Sequence, residues 1–425
     1  MKQMNDIKSL KQEEFAEVFL TNLAITTRVS GIIATGFGKS RLVMLILEQL
    51  YQQFDTIYIV VNSTKLKDFS WKEDFVKWNK EYIWKKVVMV TYQTGYKWRV
   101  TELDLNKSFI VYDEIDFAIG TPEYSKMIYT FHDVKSLGLT GYVAKSKREE
   151  LHKLLPIIVE YTFEQAVKDK VVNEVEFVFV KFDLDREKTI KVEWTDKVTK
   201  ERKSFLQSEN DAYDYADKAF RVAWGAYEKA EDDLALGKIT QADFNTIKAK
   251  KDRAMAARIK LLCNGVASAR YAIKLKEHLL KKTDNKVITF SMYTDQANKL
   301  SSYVYHNAIA AEIGESNYEK FNLGVIRELA VCGKLDRGVN MVGLNNIILE
   351  SYTSSDTLVR QRVGRNARLE VHETATFYIL LPYYMKKTKD GLTKTQQVTW
   401  ASNMLKDYDT TNCKIYDQRS IKSDL

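Results

Sequence analysis

Proline is almost absent, at three residues in 425, and the 17 glycines are spread along the chain. That excludes a proline-rich or glycine-rich linker and any low-complexity tract. Cysteine is as scarce, at Cys263, Cys332 and Cys413, far apart and odd in number. A disulfide framework and a cysteine metal site are therefore not suggested, and the five histidines are equally scattered. No apolar run reaches membrane-spanning length. The segment Met1 to Glu14 is polar and lacks the apolar stretch of a signal peptide. These absences point to a soluble protein of a reducing cytoplasm.

What the chain does have is bulk and charge. With 45% hydrophobic residues it can bury a core of two domains or more. Its formal net charge of +8 suits a polyanionic partner, although many proteins of similar charge bind none.

Short apolar runs alternate with amphipathic stretches in the first part. Val29–Ile33, Thr56–Val61, Val87–Thr91, Phe109–Tyr112 and Ser136–Thr140 read as buried parallel strands. Ser40–Gln53 and Phe69–Trp78 read as helices between them, so an open parallel sheet covered on both faces is expected. A second alternating set starts near Val175 and resumes at Val287–Phe290, Ala330–Cys332, Asn346–Leu349 and Thr376–Leu380. Between them Thr189–Phe205 reads as a hairpin, and Asp211–Lys282 as helix broken at Gly237, with Thr240 and Asp243 forming a capping box. The expected fold is α/β: two parallel-sheet domains in tandem, over residues 1–170 and 171–425. The second carries a hairpin-plus-helical insertion at about 189–282 and a short tail at 386–425.

Residues 34–40 read A-T-G-F-G-K-S, after an apolar strand and before an amphipathic helix. Gly36 and Gly38 permit a tight turn that aims backbone N–H groups at anionic oxygens, and the helix adds its positive end. Thr35 and Phe37 complete the loop. Lys39 would reach the β- and γ-phosphates of ATP, and Ser40 would coordinate Mg²⁺. The strict phosphate-loop pattern has glycine at position 33, where this chain has Ile33. The bland alternative is a glycine turn followed by a chance Lys-Ser. Residues 113–116 read D-E-I-D at the end of another apolar strand. There Asp113 is a Mg²⁺ ligand candidate and Glu114 a general base for the attacking water.

In this order the motifs resemble a superfamily 2 helicase, nearest in style to the DNA branch. Leu10-Lys11-Gln12 resembles the glutamine element that reads adenine, which assigns Gln12 to the nucleotide. A-T-G-F-G-K-S resembles motif I, Val61 to Trp78 motif Ia and its sequel, Thr91-Tyr92-Gln93 motif Ib, and D-E-I-D motif II. L-G-L-T-G-Y at 137–142 resembles motif III, with Gly141 and Tyr142 departing where a second Thr or Ala is usual. Pro156 to Asn173 resembles the segment between the two domains. Val287 to Asp295 resembles motif IV, and L-D-R-G-V-N at 335–340 motif V, with Arg337 where an acidic residue is common. Q-R-V-G-R-N-A-R at 361–368 resembles motif VI.

The resemblance implies two RecA-like domains and ATP hydrolysis coupled to nucleic-acid unwinding or translocation. It gives Gln361, Arg365 and Arg368 catalytic roles at the γ-phosphate, where such an arginine is worth about 10³–10⁵ in rate. It places Ser63, Thr64, Thr91, Gln93, Ser291 and Gly338 on the backbone of a single strand. The nearest style is that of phage-encoded helicases that remodel branched DNA and of restriction and repair translocases. That implies single-stranded, forked or branched DNA as partner, a monomeric motor, and a place in recombination or repair in the cytoplasm of a host cell. A duplex translocase, an RNA helicase and a binding protein with a decayed motor remain as alternatives. Two features of the insertion stay open. Lys248, Lys250, Lys251, Arg253, Arg258 and Lys260 are a duplex-binding face or a solvated basic helix. Trp194 stacks on a base at a strand-separating wedge or packs into its own domain.

Overall fold

The computed structural model describes residues 2–62, 71–98, 104, 106–119, 121–143, 145–172, 175–195, 198–333, 343–351, 375–387, 393–397 and 413–417. The chain divides into two compact units, one built on Met1–Val175 and the other on Glu176–Lys334 with the later strands.

The first unit is a six-stranded sheet. Its strands are β1 (Arg28–Ile33), β2 (Thr56–Val61), β3 (Val87–Thr91), β4 (Ser108–Asp113), β5 (Lys135–Thr140) and β6 (Ile157–Tyr161), in the order β3-β2-β4-β5-β1-β6. Every pairing is parallel. The inner strands are apolar along most of their length because both faces are covered, whereas edge strand β3 leaves Val88 exposed. Alternate residues feed two cores: Phe109 and Val111 of β4 belong to one, Ile110 and Tyr112 to the other. Because β1, β5 and β4 are adjacent and in register, with Ile32 opposite Thr140 and Asp113 opposite Leu139, their C-terminal ends meet on one edge.

The polar N-terminus folds as a helix, α1 (Lys2–Ile25), which the sequence reading did not anticipate. Phe15, Phe19 and Leu23 enter the core beside α2 (Lys39–Leu50). The segment expected to lead out of the first domain contributes β6, paired directly to β1, and a helix capped by a Thr162–Gln165 capping box. Pro156 to Tyr161 is thus part of the first sheet, because Val159 and Tyr161 bury their side chains there.

The second unit contains β7 (Val175–Asp183), β8 (Lys188–Thr195), β9 (Arg202–Ser208), β10 (Val287–Ser291), β11 (Val304–His306), β12 (Glu328–Cys332), β13 (Asn346–Leu349), β14 (Ala375–Lys387), β15 (Thr393–Gln397) and β16 (Cys413–Asp417). Its main sheet runs β11-β12-β10-β13-β14-β7-β16, with β15 antiparallel on β14. Strands β8 and β9 form a separate antiparallel hairpin, and helices Glu209–Ala235 and Gln241–Cys263 follow it. The second helix opens on the expected Thr240–Asp243 capping box. The helical stretch expected to run as insertion to residue 282 divides at Gly265. Beyond it, helix Val266–Leu279 buries Ala267, Ala272, Leu275 and Leu279 against Val287 and Ile348 of the main sheet. That helix covers the sheet, so it belongs to the second core.

Candidate nucleotide site

The phosphate loop follows β1 and ends at the N-terminus of α2. Gly36 and Gly38 both take φ +91°, a left-handed conformation that only glycine adopts without strain, and Gly38 is the N-cap of α2. The turn leaves the first N–H groups of α2 free to face an anion. Helix α1 braces the loop through its carbonyls: Lys8 Nζ donates to Gly36 O at 2.6 Å and Gln12 Nε2 to Phe37 O at 2.6 Å. Beneath it Phe37 stacks on Phe15 at 5.4 Å, and Tyr161 meets both rings edge-on. The loop therefore has its form before any ligand arrives.

Gln12 was expected to read adenine. It is 1% exposed and holds the loop backbone through its amide nitrogen, while its Oε1 is buried without a hydrogen-bond partner. A buried acceptor with nothing donating to it is costly, and a ligand amine would satisfy it.

The acidic residues at the end of β4 turn to different principal partners, with Thr140 Oγ1 within 3.4 Å of Glu114 as well as bonded to Asp116. Glu114 takes φ +51°, a left-handed conformation that costs a non-glycine residue about 1–3 kcal/mol. The kink puts Glu114 Oε1 3.2 Å from Lys39 Nζ in a mostly buried ion pair. Asp116 Oδ1 accepts a 2.7 Å hydrogen bond from Thr140 Oγ1 at the end of β5. Asp113 Oδ2 accepts from Trp71 Nε1 at 3.2 Å. Tyr92 OH donates to Asp113 O at 3.2 Å, and burial, reinforced by the Asp113 charge, holds that phenol well above its ordinary range.

Gly141 closes the arrangement. A Cβ placed there would lie 2.5 Å from Thr35 Oγ1 and 3.4 Å from Lys39 Nζ. The residue that departs from the motif III pattern is thus the one that lets the end of β5 approach the phosphate loop. Gly141 stood out in the sequence only as a departure from pattern, and Trp71 was not singled out. The tryptophan stands one residue beyond Phe69-Ser70 in an amphipathic stretch, and nothing in that stretch marks one of its residues as reaching β4.

These residues suit Mg·ATP: a glycine cradle at a helix N-terminus, a lysine, a hydroxyl at Ser40 and one strand-end carboxylate. Among the described residues there is no cluster of three or more His, Cys, Asp or Glu able to hold a metal alone.

The residues expected on nucleic acid are less concentrated. Gln93 is exposed, but Thr91 is buried and its hydroxyl meets Thr94 Oγ1 at 3.1 Å. Ser291 is also buried, its hydroxyl within hydrogen-bond reach of Tyr293 O at 3.2 Å and of the Glu350 carboxyl. Trp194 lies on β8 opposite Lys203 of β9. Ser63, Thr64, Gly338, Gln361, Arg365 and Arg368, with the motif V and VI segments, lie outside the described residues. Part of the basic run is structural. Arg258 pairs with buried Asp217 at 2.9 Å, and Lys251 pairs with Asp252 and sits 4.1 Å over the Tyr227 ring. Lys248, Lys250, Arg253 and Lys260 remain exposed. Among the described residues, no helix is long and apolar enough to cross a membrane.

Residues 271–370 match the family described as helicase conserved C-terminal domain, a span that includes the segments read as resembling motifs IV to VI. The fold is similar to that of the Pyrococcus furiosus Hef helicase domain, at TM-score 0.50 and 16% identity, covering 88% of this chain and 96% of that one. It is also similar to Saccharomyces cerevisiae Dbp5 bound to RNA and ADP BeF3, at TM-score 0.51 and 11% identity, covering 93% of this chain and 87% of that one. No curated protein matches in sequence. The two sheets are tandem RecA-like domains, the fold of these helicase structures, and residues 271–370 carry the helicase C-terminal match.

Proposed function

We propose that this chain is an ATP-driven DNA helicase or translocase that unwinds or branch-migrates forked or branched DNA. The observation that carries the reading is the convergence, on one sheet edge, of Lys39 after a left-handed glycine loop, Glu114 3.2 Å from it, and Asp113 at the end of β4. Lys39 and the loop N–H groups would hold the phosphates, with Ser40 and Asp113 holding Mg²⁺. Bound ATP supplies an activated phosphoryl group. Glu114 then accepts a proton from the attacking water, and its ion pair with Lys39 at 3.2 Å aims it at the site. Gln12 would satisfy its buried Oε1 on the adenine amine. Gln361, Arg365 and Arg368 would complete the charge complement at the γ-phosphate.

DNA rather than RNA is favoured by the D-E-I-D form of motif II and by the motif Ia sequel. Forked or branched DNA is favoured by the β8–β9 hairpin, a two-stranded element outside the main sheet with Phe205 and Leu206 about half exposed. The test is ATPase stimulation by single-stranded DNA, duplex, fork, four-way junction and RNA, each over a salt series, because phosphate contacts make affinity strongly salt-dependent. Forked or four-way DNA is expected to stimulate most, and strand displacement on the fork separates unwinding from translocation along duplex. Lys39→Ala and Glu114→Gln are each expected to abolish turnover. Full stimulation by RNA alone, or full turnover in either variant, refutes the reading.

A further inference from the structure

Asp113 is held by two aromatic donors that come from neither the phosphate loop nor its own strand. Trp71 donates from Nε1 to one carboxylate oxygen, and Tyr92 donates from its hydroxyl to the backbone carbonyl. Both are buried, at 4% and 0% exposure. The Trp71 ring opens helix α3 (Trp71–Lys77) and packs on Phe75, which packs on Trp84. The Tyr92 ring packs on Phe117 and Tyr124. Neither donor can swing away without breaking a packed aromatic cluster.

The chemistry of the donor matters. An indole N–H donates and never accepts, so it fixes one carboxylate oxygen as acceptor and makes the ionised form the better partner. A carboxylate pinned through one oxygen presents a defined rotamer to a cation. Partners of this kind around metal-ligating carboxylates set metal affinity.

We propose that Trp71 is the positioning residue for Asp113, orienting its carboxylate for Mg²⁺. The inference rests on the nucleotide reading of the same site. It also gives that site a link to the chain segment resembling motif Ia, because Trp71 stands in it and Tyr92 stands in motif Ib.

Trp71→Phe keeps a packed ring and removes the N–H. The probe is a fluorescent ADP, titrated onto the full chain over a Mg²⁺ series and again in EDTA. The Mg²⁺ concentration for half-maximal binding is expected to rise about tenfold in Trp71→Phe, with the EDTA affinity unchanged. Indole emission gives a second readout: the wild-type change on adding Mg²⁺ to the ADP-bound chain is lost in the variant. An unchanged Mg²⁺ requirement overturns the positioning role while leaving nucleotide binding intact. Equal losses with Mg²⁺ and in EDTA also overturn it, because they mark a structural residue. If wild-type chain binds the fluorescent ADP no better than Lys39→Ala does, the nucleotide reading fails, and the role of Trp71 fails with it.

Discussion

Gly141→Ala adds one methyl group where the end of β5 touches the phosphate loop. The new Cβ would sit 2.5 Å from Thr35 Oγ1, a separation that real Cβ atoms essentially never show. Relief has few routes. The loop backbone is pinned by Ala34 N to Tyr161 O at 2.9 Å, by Lys8 to Gly36 O and by Gln12 to Phe37 O. Thr35 itself is β-branched, so its χ1 rotates only at a cost. Overpacking of this kind costs about 1–3 kcal/mol. The next atoms are Lys39 Nζ at 3.4 Å and Thr35 Cβ at 3.7 Å, both in ordinary contact. Removing Oγ1 should therefore remove most of the penalty. Urea unfolding of Gly141→Ala in Thr35, Thr35→Ser and Thr35→Ala backgrounds is expected to give a penalty of about 1–3 kcal/mol, a smaller one, and one near zero. Serine is intermediate because its hydroxyl rotates more freely. Equal penalties in all three backgrounds would refute the argument. The departure from the motif III pattern at this position is then a steric requirement of Thr35.

Two further predictions concern the second unit. Asp217 has a 3% exposed side chain that pairs with Arg258 at 2.9 Å and Arg221 at 2.7 Å. Asp217→Ala strands Arg258, 17% exposed, and should cost about 3 kcal/mol, with half-exposed Arg221 adding little. Hydrogen exchange should speed up in helices Glu209–Ala235 and Gln241–Cys263, and unchanged protection there would contradict the assignment. Glu350 is 2% exposed, accepts hydrogen bonds from Ser268 and Gln296, and burial raises its carboxyl to about 7. A carboxyl raised on folding holds an extra proton in the folded state between about pH 4.5 and 7. Stability from this group is therefore present at low pH and falls as pH rises through that window, by about 3 kcal/mol. Glu350→Gln should flatten the wild-type slope there, and identical slopes would refute it.

How much of this was legible in the sequence depends on the range of each interaction. Thr56–Val61 was readable as an inner strand, and Val87–Thr91, an edge strand with Val88 exposed, as an apolar β-branched run; both have the observed bounds. The glycine loop was readable because its backbone geometry restricts residue type. Helix α1 was missed because only a few apolar residues, Phe15, Phe19 and Leu23 among them, reach the core from a polar segment. The end of the insertion was missed because helical periodicity does not reveal which core a helix faces. Thr91 and Ser291 were carried over as nucleic-acid contacts by motif match, and motif position does not reveal that Thr91 meets Thr94 or that Ser291 bonds to Tyr293 O and Glu350. The basic run was readable as charge but not as availability, since Arg258 and Lys251 are committed within the fold.

The D-E-I-D run shows why residue type and backbone geometry have to be read together. Three carboxylates within four residues repel one another, and a solvated loop would be their usual place. Here they turn to different principal partners, although Thr140 Oγ1, bonded to Asp116 at 2.7 Å, also lies 3.4 Å from Glu114 Oε2. Asp113 ends β4 and is held by Trp71. Glu114 turns through a left-handed residue toward Lys39. Asp116 opens the next turn and takes the Thr140 hydroxyl. The kink at Glu114 makes this distribution possible, because it sends adjacent side chains to different partners. Strain at that residue is offset by the pairing with Lys39, and the same pairing places a carboxylate beside the phosphate loop. Glu114→Gly would relieve the backbone and delete the proposed base. The expected result is a chain of equal or greater stability without turnover, and a Glu114→Gly variant that still hydrolysed ATP would show that the base lies elsewhere.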